Sequence, residues 1–193
     1  MRRLWSVLVI AMAAPAWGQT PWEIDPAHTS VQFGVRHMMV SSVRGEFRKL
    51  AGTVRADDQD PTRSVIEVTI DAASIDTRDP KRDEHLRSPD FLDVARFPAV
   101  TFRSKRIEKA GEGRHKVAGD LTLHGVTREV VLDVEGPTAP VKDMMGLTRA
   151  GAHATAKIDR RDFGVAWSKV LEGGGLAVGN EVAITIDVEA IRK

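Results

Sequence analysis

The stretch RAGAHATAKI, residues 149–158, alternates between two kinds of side chain. One face carries Arg149, Gly151, His153, Thr155 and Lys157, and the other carries Ala150, Ala152, Ala154, Ala156 and Ile158. Alternation with a period of two predicts a β-strand with one face in water and one face inside the protein. The inward face is unusual, because β-branched and aromatic residues are the ones that fit a pleated, half-buried surface. The fold must therefore fill the space beside these alanines.

The same period of two recurs along the chain. Apolar residues alternate with polar ones in SVQFGV, SVIEVTID, AVTFRS, HKVAGDLTLHG, REVVLDVEG and NEVAITIDVEA. Together with residues 41–57 and 149–158, these stretches make about eight strands. One-sided burial indicates antiparallel pairing, and turn residues such as His124-Gly125 separate the strands. The sequence therefore predicts an all-β, eight-stranded antiparallel barrel, with a two-sheet sandwich as the main alternative.

The charged segment SIDTRDPKRDEHLRSPDFLDVARFP breaks this alternation. Asp79 can cap a helix that has Pro80 at its first position, and the helix would run over 81–86 and end before Pro89. The apolar residues that follow are too many for a loose loop: Phe91, Leu92, Val94 and Phe97. We expect a short helix and flap near residues 79–94 to fold over the barrel.

Residues 1–18 have the pattern of a secretory signal peptide. Arg2 and Arg3 precede a short apolar run, and cleavage near Gly18 would leave residues 19–193 as a single domain. The run is shorter than the ~20 residues that a spanning helix needs, and no later segment is apolar enough to span. We therefore expect a periplasmic protein without an integral membrane segment after cleavage.

Composition excludes several classes of protein. The chain has 193 residues, 42% hydrophobic and 28% charged, which is ordinary for a globular domain. Cysteine is absent, which excludes both a disulfide framework and a lipoprotein anchor. Loss of Arg2 and Arg3 would leave 26 basic against 27 acidic residues, a net charge of −1. Without a basic field, nucleic acid is not expected as a partner.

An eight-stranded barrel can either fill its interior with side chains or hold one ligand there. The space beside the alanines must be occupied by the flap, by Trp167 or by a ligand. Apolar walls favour a ligand that is mostly hydrocarbon, because each buried CH₂ contributes ~0.8 kcal/mol. The residues expected to line the interior are Phe33, Val35, Phe47, Ile66, Val68, Ile70, Phe91, Phe102, Leu121, Leu123, Ala150, Ala152, Ala154, Ala156, Ile158, Phe163, Trp167, Ile184 and Ile186.

Five basic residues are candidates for the mouth of such a barrel, where an arginine can hold an oxygen of a polar head group. They are Arg36, His37, Arg82, His85 and Arg160. The sequence does not decide which of them face inward, and the charged helix can equally be a solvated, self-paired surface.

Neither a metal site nor a catalytic centre is predicted. The six histidines lie far apart and form no H-x-x-x-H or H-x-H pair: His28, His37, His85, His115, His124 and His153. No G-x-S-x-G occurs, and the glycines at 173–175 lack the lysine and hydroxyl residue of a phosphate loop. We therefore expect a non-enzymatic protein without a cofactor.

Five long stretches carry a resemblance to a known family. They are DPAHTSVQFGVRHMMVSSVRGEF, IDAASIDTRDPKRDEHLRSPDFLDVARFPAVTFRS, GDLTLHGVTREVVLDV, KIDRRDFGV and LEGGGLAVGNEVAITID. In this order they resemble the YceI family of exported, lipocalin-like, polyisoprenoid-binding bacterial proteins. One departure is Leu92, where the family often has a second aromatic residue.

The resemblance implies an extended eight-stranded barrel with an internal tunnel that holds an isoprenoid or another long amphipathic lipid. It implies no catalytic residues. The leading hypothesis is a carrier or store of a polyprenyl or quinone lipid in the periplasm. The alternatives are a stress-response barrel without a physiological ligand and, third, a lipid-modifying enzyme. A homodimer is a candidate assembly, because barrel mouths and exposed strands are natural contacts.

Overall fold

The computed structural model describes residues 19–193, so the predicted signal peptide, residues 1–18, lies outside the described residues. The strands are β1 (Gln19–Ile24), β2 (Ser30–His37), β3 (Ser41–Phe47), β4 (Leu50–Asp57), β5 (Val65–Asp71), β6 (Ile75–Asp76), β7 (Ala99–Gly111), β8 (Arg114–Leu123), β9 (Val126–Glu135), β10 (Val141–Lys142), β11 (Thr148–Asp159) and β12 (Val178–Arg192). The one α-helix of this part of the chain is α1 (Pro80–Arg87), and 3-10 turns occur at Pro61–Arg63, Ala72–Ser74 and Arg160–Phe163.

Several short strands are halves of longer, interrupted ones. β1 and β2 both run antiparallel to β12, pairing at Trp22↔Arg192 and then at Val31↔Ile186. β3 and β4 return alongside β2 and β1, and β6 continues β5 as the partner of β3. The interruptions allow long strands to bend around a closed surface.

Counted this way, eight antiparallel strands close on themselves. The order around the ring is β1/β2, β3/β4, β5/β6, β7, β8, β9, β11 and β12, and β12 pairs with both β11 and β1/β2. The prediction of an eight-stranded antiparallel barrel is confirmed. The sandwich alternative is wrong, because the pairing of β11 with β12 closes the sheet into a ring.

The two ladders that β11 forms with its neighbouring strands differ in length. β11 pairs with β12 along the whole run from Arg149 to Asp159, whereas it pairs with β9 only at His153, Ala154 and Thr155. The turn Arg160–Phe163 then follows, and the Phe163 ring is almost completely buried.

The two ends of the barrel are built differently. At the helix end lie the β2–β3 turn, the segment 77–98 with α1, the β8–β9 turn and the segment 160–177. At the terminal end lie Gln19, Lys193, and the connections 58–64, 112–113 and 136–147. No helix among residues 19–193 is long and apolar enough to cross a membrane.

The predicted helix is present and slightly longer than expected. The Asp79 side chain accepts hydrogen bonds from the backbone N–H groups of Lys81 and Arg82, which satisfies donors that a helix start leaves free. Buried Asp83 accepts from the backbone N–H and the hydroxyl of Thr77, at 2.8 and 2.6 Å. These bonds fix α1 against the end of β6.

Few residues form a conventional core. The buried apolar side chains include Trp22, Ile24, Phe91, Val117 and Phe163. Most inward-facing residues of the long strands, such as those in β5 and β12, are only half-buried. Because these positions point into the barrel and still retain accessible surface, the interior is hollow.

Candidate functional site

The barrel encloses a cavity of about 930 Å³, lined almost entirely by the apolar inward faces of its strands. This volume lies near the upper end of the roughly 300–1,000 Å³ range of small-molecule sites. Both Val178 and Arg192, the first and last residues of β12, line it. With a rise of ~3.3 Å per residue and a strand tilt of ~40°, this strand extends ~35 Å along the barrel axis.

The alanine face of β11 forms part of this wall. Ala150, Ala152 and Ala154 line the cavity, and the partners of the last two across the β12 ladder are Val188 and Ile186. A methyl side chain projects less far into the barrel than its neighbours on β12. The alanines therefore widen the cavity on one side, and neither the flap nor Trp167 fills all of that space.

Nearly all of the residues predicted to line the interior do so. These are Phe33, Val35, Phe47, Ile66, Val68, Ile70, Phe91, Phe102, Leu121, Leu123, Ala150, Ala152, Ala154, Ile158, Trp167, Ile184 and Ile186. Ala156 and Phe163 are not among the lining residues. Ala156 pairs with Ile184 near the end of β11, and Phe163 is buried in the turn after β11.

Further wall residues are not among the interior residues named above, although they lie on the inward faces of the same alternating stretches. They include Val31, Leu50, Val54, Val100, Val117, Leu132, Val134, Val182 and Val188. They belong to β2, β4, β7, β8, β9 and β12 and follow the period of two in these strands.

All five basic mouth candidates line the cavity, at the helix end. Arg36 donates to the backbone oxygen of Met39 (2.7 Å) and to the Ser42 hydroxyl (3.3 Å). Arg82 donates to the hydroxyl and backbone oxygen of Thr77, at 2.7 and 2.8 Å, and its nearest carboxylate contact, to Asp79, is 3.9 Å. These cations therefore hold mainly neutral acceptors.

Arg160 is the most buried of the five, with 4% of its surface exposed. It donates to the backbone oxygens of Val165 (2.6 Å), Gly179 (2.8 Å) and Val178 (3.2 Å). Burial lowers the pKa of the guanidinium below its usual value, and the nearby charge of Asp159 opposes this effect. The side chain ties the turn after β11 to the start of β12.

His85 lies in an aromatic cluster between the flap and the segment 160–177. Its ring packs edge-on against Phe91 and Trp167, with centroid distances of 5.0 and 4.9 Å, and its Nε2 lies 2.8 Å from Asp90 Oδ2. This cluster partly covers the helix end.

The charged groups of the terminal end pair with one another. Buried Asp57 lies 2.8 Å from Arg63, and Asp58 lies 3.0 Å from Arg192. The backbone N–H of Asp60 is the main cause that lowers the pKa of Asp57. Both aspartates and Arg192 line the cavity, whereas the charged lining residues of the helix end are all basic.

Trp22 provides a polar atom of the wall at the terminal end. Its Nε1 is buried and has no hydrogen-bond partner among residues 19–193. A buried donor without a partner costs about 1–3 kcal/mol. An oxygen of a bound ligand or of a water molecule could accept this N–H.

Arg149 organises a network beside the cavity at the terminal end. Its guanidinium contacts Asp25 (2.7 Å), Asp143 (2.7 Å) and Glu189 (2.5 Å). These contacts join β11, β12, the break between β1 and β2 and the connection 136–147. The hydrogen bond from Arg149 is the main cause that holds the pKa values of Asp25 and Asp143 below the usual range of a carboxyl.

The same network contains the one group of potential metal ligands found among residues 19–193. Asp25, His28 and Glu189 each place one ligand atom within 4.8 Å of the others. The Arg149 guanidinium already bonds both carboxylates, so it competes with a cation for them and neutralises part of their negative charge.

Residues 19–193 contain three aspartate–histidine pairs, which are His28–Asp25, His85–Asp90 and His153–Asp187. Their histidine side chains are 42–58% exposed, and only His85 of these lines the cavity. Such pairs were not foreseen, because their members come together only in the folded barrel or at a turn. Surface pairs of this kind are ordinary structural contacts.

A profile of the YceI-like domain matches residues 22–190. A UPF0312 protein of Vibrio parahaemolyticus is 36% identical over 161 residues, which are 82% of this chain and 85% of that protein. The crystal structure of the Campylobacter jejuni YceI protein is 30% identical, with a TM-score of 0.68 over 82% of this chain and 90% of that one. A polyisoprenoid binding domain from Saccharophagus degradans is 14% identical, with a TM-score of 0.65 over 89% and 98%, and shares the fold.

Proposed function

The chain belongs to the YceI-like domain family, and we propose that it is a non-enzymatic carrier or store of a long isoprenoid or similar amphipathic lipid. The ligand is of the polyprenyl or quinone type and lies in the barrel cavity. The protein works in the periplasm, after removal of residues 1–18 as a signal peptide.

The hollow apolar interior is the observation that carries this proposal. An unfilled cavity of about 930 Å³ with alanines along one wall is costly unless something occupies it. A chain of a dozen carbons would gain ~10 kcal/mol gross on burial. That gain matches a binding cost on the order of 4–15 kcal/mol, whereas a small polar solute would gain far less from such walls.

The charges at the two ends give the lipid a direction. Arg36, Arg82 and Arg160 line the helix end of the cavity, and their shortest hydrogen bonds go to neutral oxygen atoms. A phosphate or a quinone oxygen is the kind of acceptor that an arginine holds well. The head group therefore lies at the helix end, and the hydrocarbon chain extends towards Trp22.

The relatives support the fold of this carrier more directly than its cargo. The Saccharophagus domain is named for polyisoprenoid binding, and it shares the barrel at low identity. Pairing of two chains, predicted from the sequence, stays a prediction.

Extraction of the native protein is the test. The protein is purified from the periplasm, extracted with organic solvent, and the extract is analysed by mass spectrometry. A polyprenyl or quinone species in proportion to protein is the expected result. A protein that comes off empty and also refuses added polyprenyl lipid would point to a barrel without a physiological ligand.

Ala154→Phe sharpens the test, because it adds a ring to the inward face of β11. We expect the lipid content to fall at least ~5-fold, since the ring takes the space of the chain. Ala150→Phe is a second inward variant, useful because Ala154 is itself almost fully buried.

Thr155→Phe is the matched control, because it adds the same ring to the outward face of the same strand. It should keep the lipid, and all three variants are compared by circular dichroism and thermal unfolding. Folded inward variants that retain the full lipid load would contradict the proposal.

A further inference from the structure

The turn between β2 and β3 displays methionines where the backbone favours other residues. His37–Val40 form a tight turn, closed by the hydrogen bond from the Val40 N–H to the His37 oxygen at 3.0 Å. Its two central residues are Met38 and Met39, with φ angles of +50° and +60°. A β-turn in which both central residues have positive φ angles favours Asn, Asp and Gly at these positions, and the left-handed conformation is strained for other L-residues.

The same turn is unusually apolar for its exposure. Met38 is 44%, Met39 60% and Val40 82% exposed. Val170 is 79% exposed on the neighbouring segment 160–177, which is joined to the turn by the Met38 N–H and the Ala177 oxygen at 3.0 Å. We call Met38, Met39, Val40 and Val170 the apolar tip. These exposed apolar side chains occur in a turn whose backbone is strained for them. The combination points to contact with an apolar medium.

Cations surround the apolar tip. Arg36 bonds the backbone oxygen of Met39, and residues 36–44 contain Arg44 and no acidic residue. Lys169 stands beside Val170, and Glu172 is the nearest acid in that sequence segment. None of Arg36, Arg44 and Lys169 forms an ion pair within residues 19–193.

We propose that the apolar tip docks the helix end onto a lipid bilayer with anionic head groups. The methionine and valine side chains enter the boundary between head groups and acyl chains, and the cations lie among the lipid phosphates. Arg36 and His37, the residues directly before the turn, line the cavity, so docking places the mouth against the membrane. The proposal rests on the proposed function, since it gives the route by which lipid enters and leaves.

A bilayer fits this surface better than a protein groove does. The tip combines exposed apolar side chains with neighbouring cations, and this combination is typical of interfacial membrane anchors. A specific protein contact would instead need roughly 800 Å² per partner with matched polar groups at the rim.

The double variant Met38→Asn with Met39→Gly is the decisive change. It installs the residues that the turn prefers, so the fold should be at least as stable, while both apolar side chains are lost. Binding is measured by co-sedimentation with phosphatidylglycerol–phosphatidylethanolamine vesicles and with phosphatidylcholine vesicles. We expect the affinity for the anionic vesicles to fall on the order of 30-fold.

The control is Met144→Ser with Met145→Ser, which removes two fully exposed methionines from the terminal end. It should leave vesicle binding unchanged. The docking proposal is overturned if the turn variant binds anionic vesicles as the wild type does, if only the control loses binding, or if the wild type ignores vesicles and binds through the turn to a protein.

The lipid content of the purified variants separates this proposal from the carrier function. Folded Ala154→Phe protein should still sediment with vesicles although its cavity is blocked. Vesicle binding without extractable lipid would leave docking standing and remove the carrier function, and extractable lipid without vesicle binding would do the reverse.

Discussion

The two ends of this barrel differ in the partners of their arginine side chains. At the terminal end, Arg149 bonds three carboxylates, and Asp58 pairs with Arg192. At the helix end, Arg36 and Arg160 donate to backbone oxygens and a hydroxyl. The charges of the terminal end are paired with one another, whereas the helix end retains positive charge that an incoming anionic group can neutralise.

Arginine therefore serves two purposes in one molecule. An arginine that bonds several carboxylates has a structural role, because its charge is neutralised by its partners. An arginine that donates to carbonyl oxygens is held in place by hydrogen bonds and keeps its positive charge, because a carbonyl is a neutral acceptor. Three substitutions or conditions can test this contrast.

The largest effect is expected from Arg160→Leu. Loss of the guanidinium leaves the backbone oxygens of Val165, Gly179 and Val178 without their donors in a buried turn. We expect the free energy of unfolding to fall by about 3 kcal/mol, measured by urea denaturation.

Arg160→Lys keeps the charge but cannot reach all three oxygens, so it should recover less than half of that loss. A stability of Arg160→Leu within error of the wild type would show that Arg160 is not the joint between β11 and β12. The hydrogen bonds of Arg160 would then contribute little to the stability of the helix end.

A smaller effect is expected from Arg149→Leu at the terminal end. The change leaves Asp25, Asp143 and Glu189 close together without their shared cation. We expect the Tm to fall by a few degrees, because these groups retain partial contact with water. Differential scanning calorimetry measures the shift.

Arg114→Gln is the matched control, since it breaks one exposed pair with Glu135 at the same end. Its Tm should stay within about one degree of the wild type. Equal shifts for Arg149→Leu and Arg114→Gln would mean that the network acts as separate surface pairs.

The smallest effect is a pH dependence. The folded-state pKa values of Asp25 and Asp143 lie below their usual range because of Arg149, and the hydrogen bond to Arg161 lowers the pKa of Asp159 to about 2. A carboxyl with a depressed folded-state pKa stabilises the protein above its unfolded-state pKa, and the stabilisation is lost as the pH falls through the folded-state pKa.

Stability should therefore be flat above about pH 5 and decline towards about pH 2. Urea midpoints across this range measure it. The decline should be shallower in Arg149→Leu, where Asp25 and Asp143 no longer gain from the guanidinium. An identical decline in wild type and variant would assign the acid sensitivity to other carboxyls.

Alternation in the sequence predicted the barrel and most of its cavity wall, because strand geometry fixes which side chains share a face. The helix followed from Asp79 and Pro80, whose effects are local. The Arg149 network could not be predicted in this way. Arg149 was assigned to the water-facing side of its strand, yet its side chain is only 18% exposed, since partners distant in sequence surround it.

The period of two also could not predict that Ala156 and Phe163 are absent from the cavity wall. Ala156 obeys the alternation, yet it does not reach the cavity wall, whereas its partner across the ladder, Ile184, does. Phe163 follows the end of β11, where the turn redirects the chain. The short pairing between β9 and β11 likewise could not be predicted, because it depends on how the barrel closes and not on the sequence of one strand.

A hollow barrel has a mechanical consequence. About 930 Å³ of interior corresponds to roughly 560 mL/mol, several times the 20–100 mL/mol by which ordinary proteins shrink on unfolding. Hydrostatic pressure favours whichever state has the smaller volume, so a dry, empty barrel would collapse at pressures that a filled one withstands. A ligand that filled the cavity would therefore also stabilise the barrel against pressure, and the compressibility of the protein would measure whether the cavity is filled.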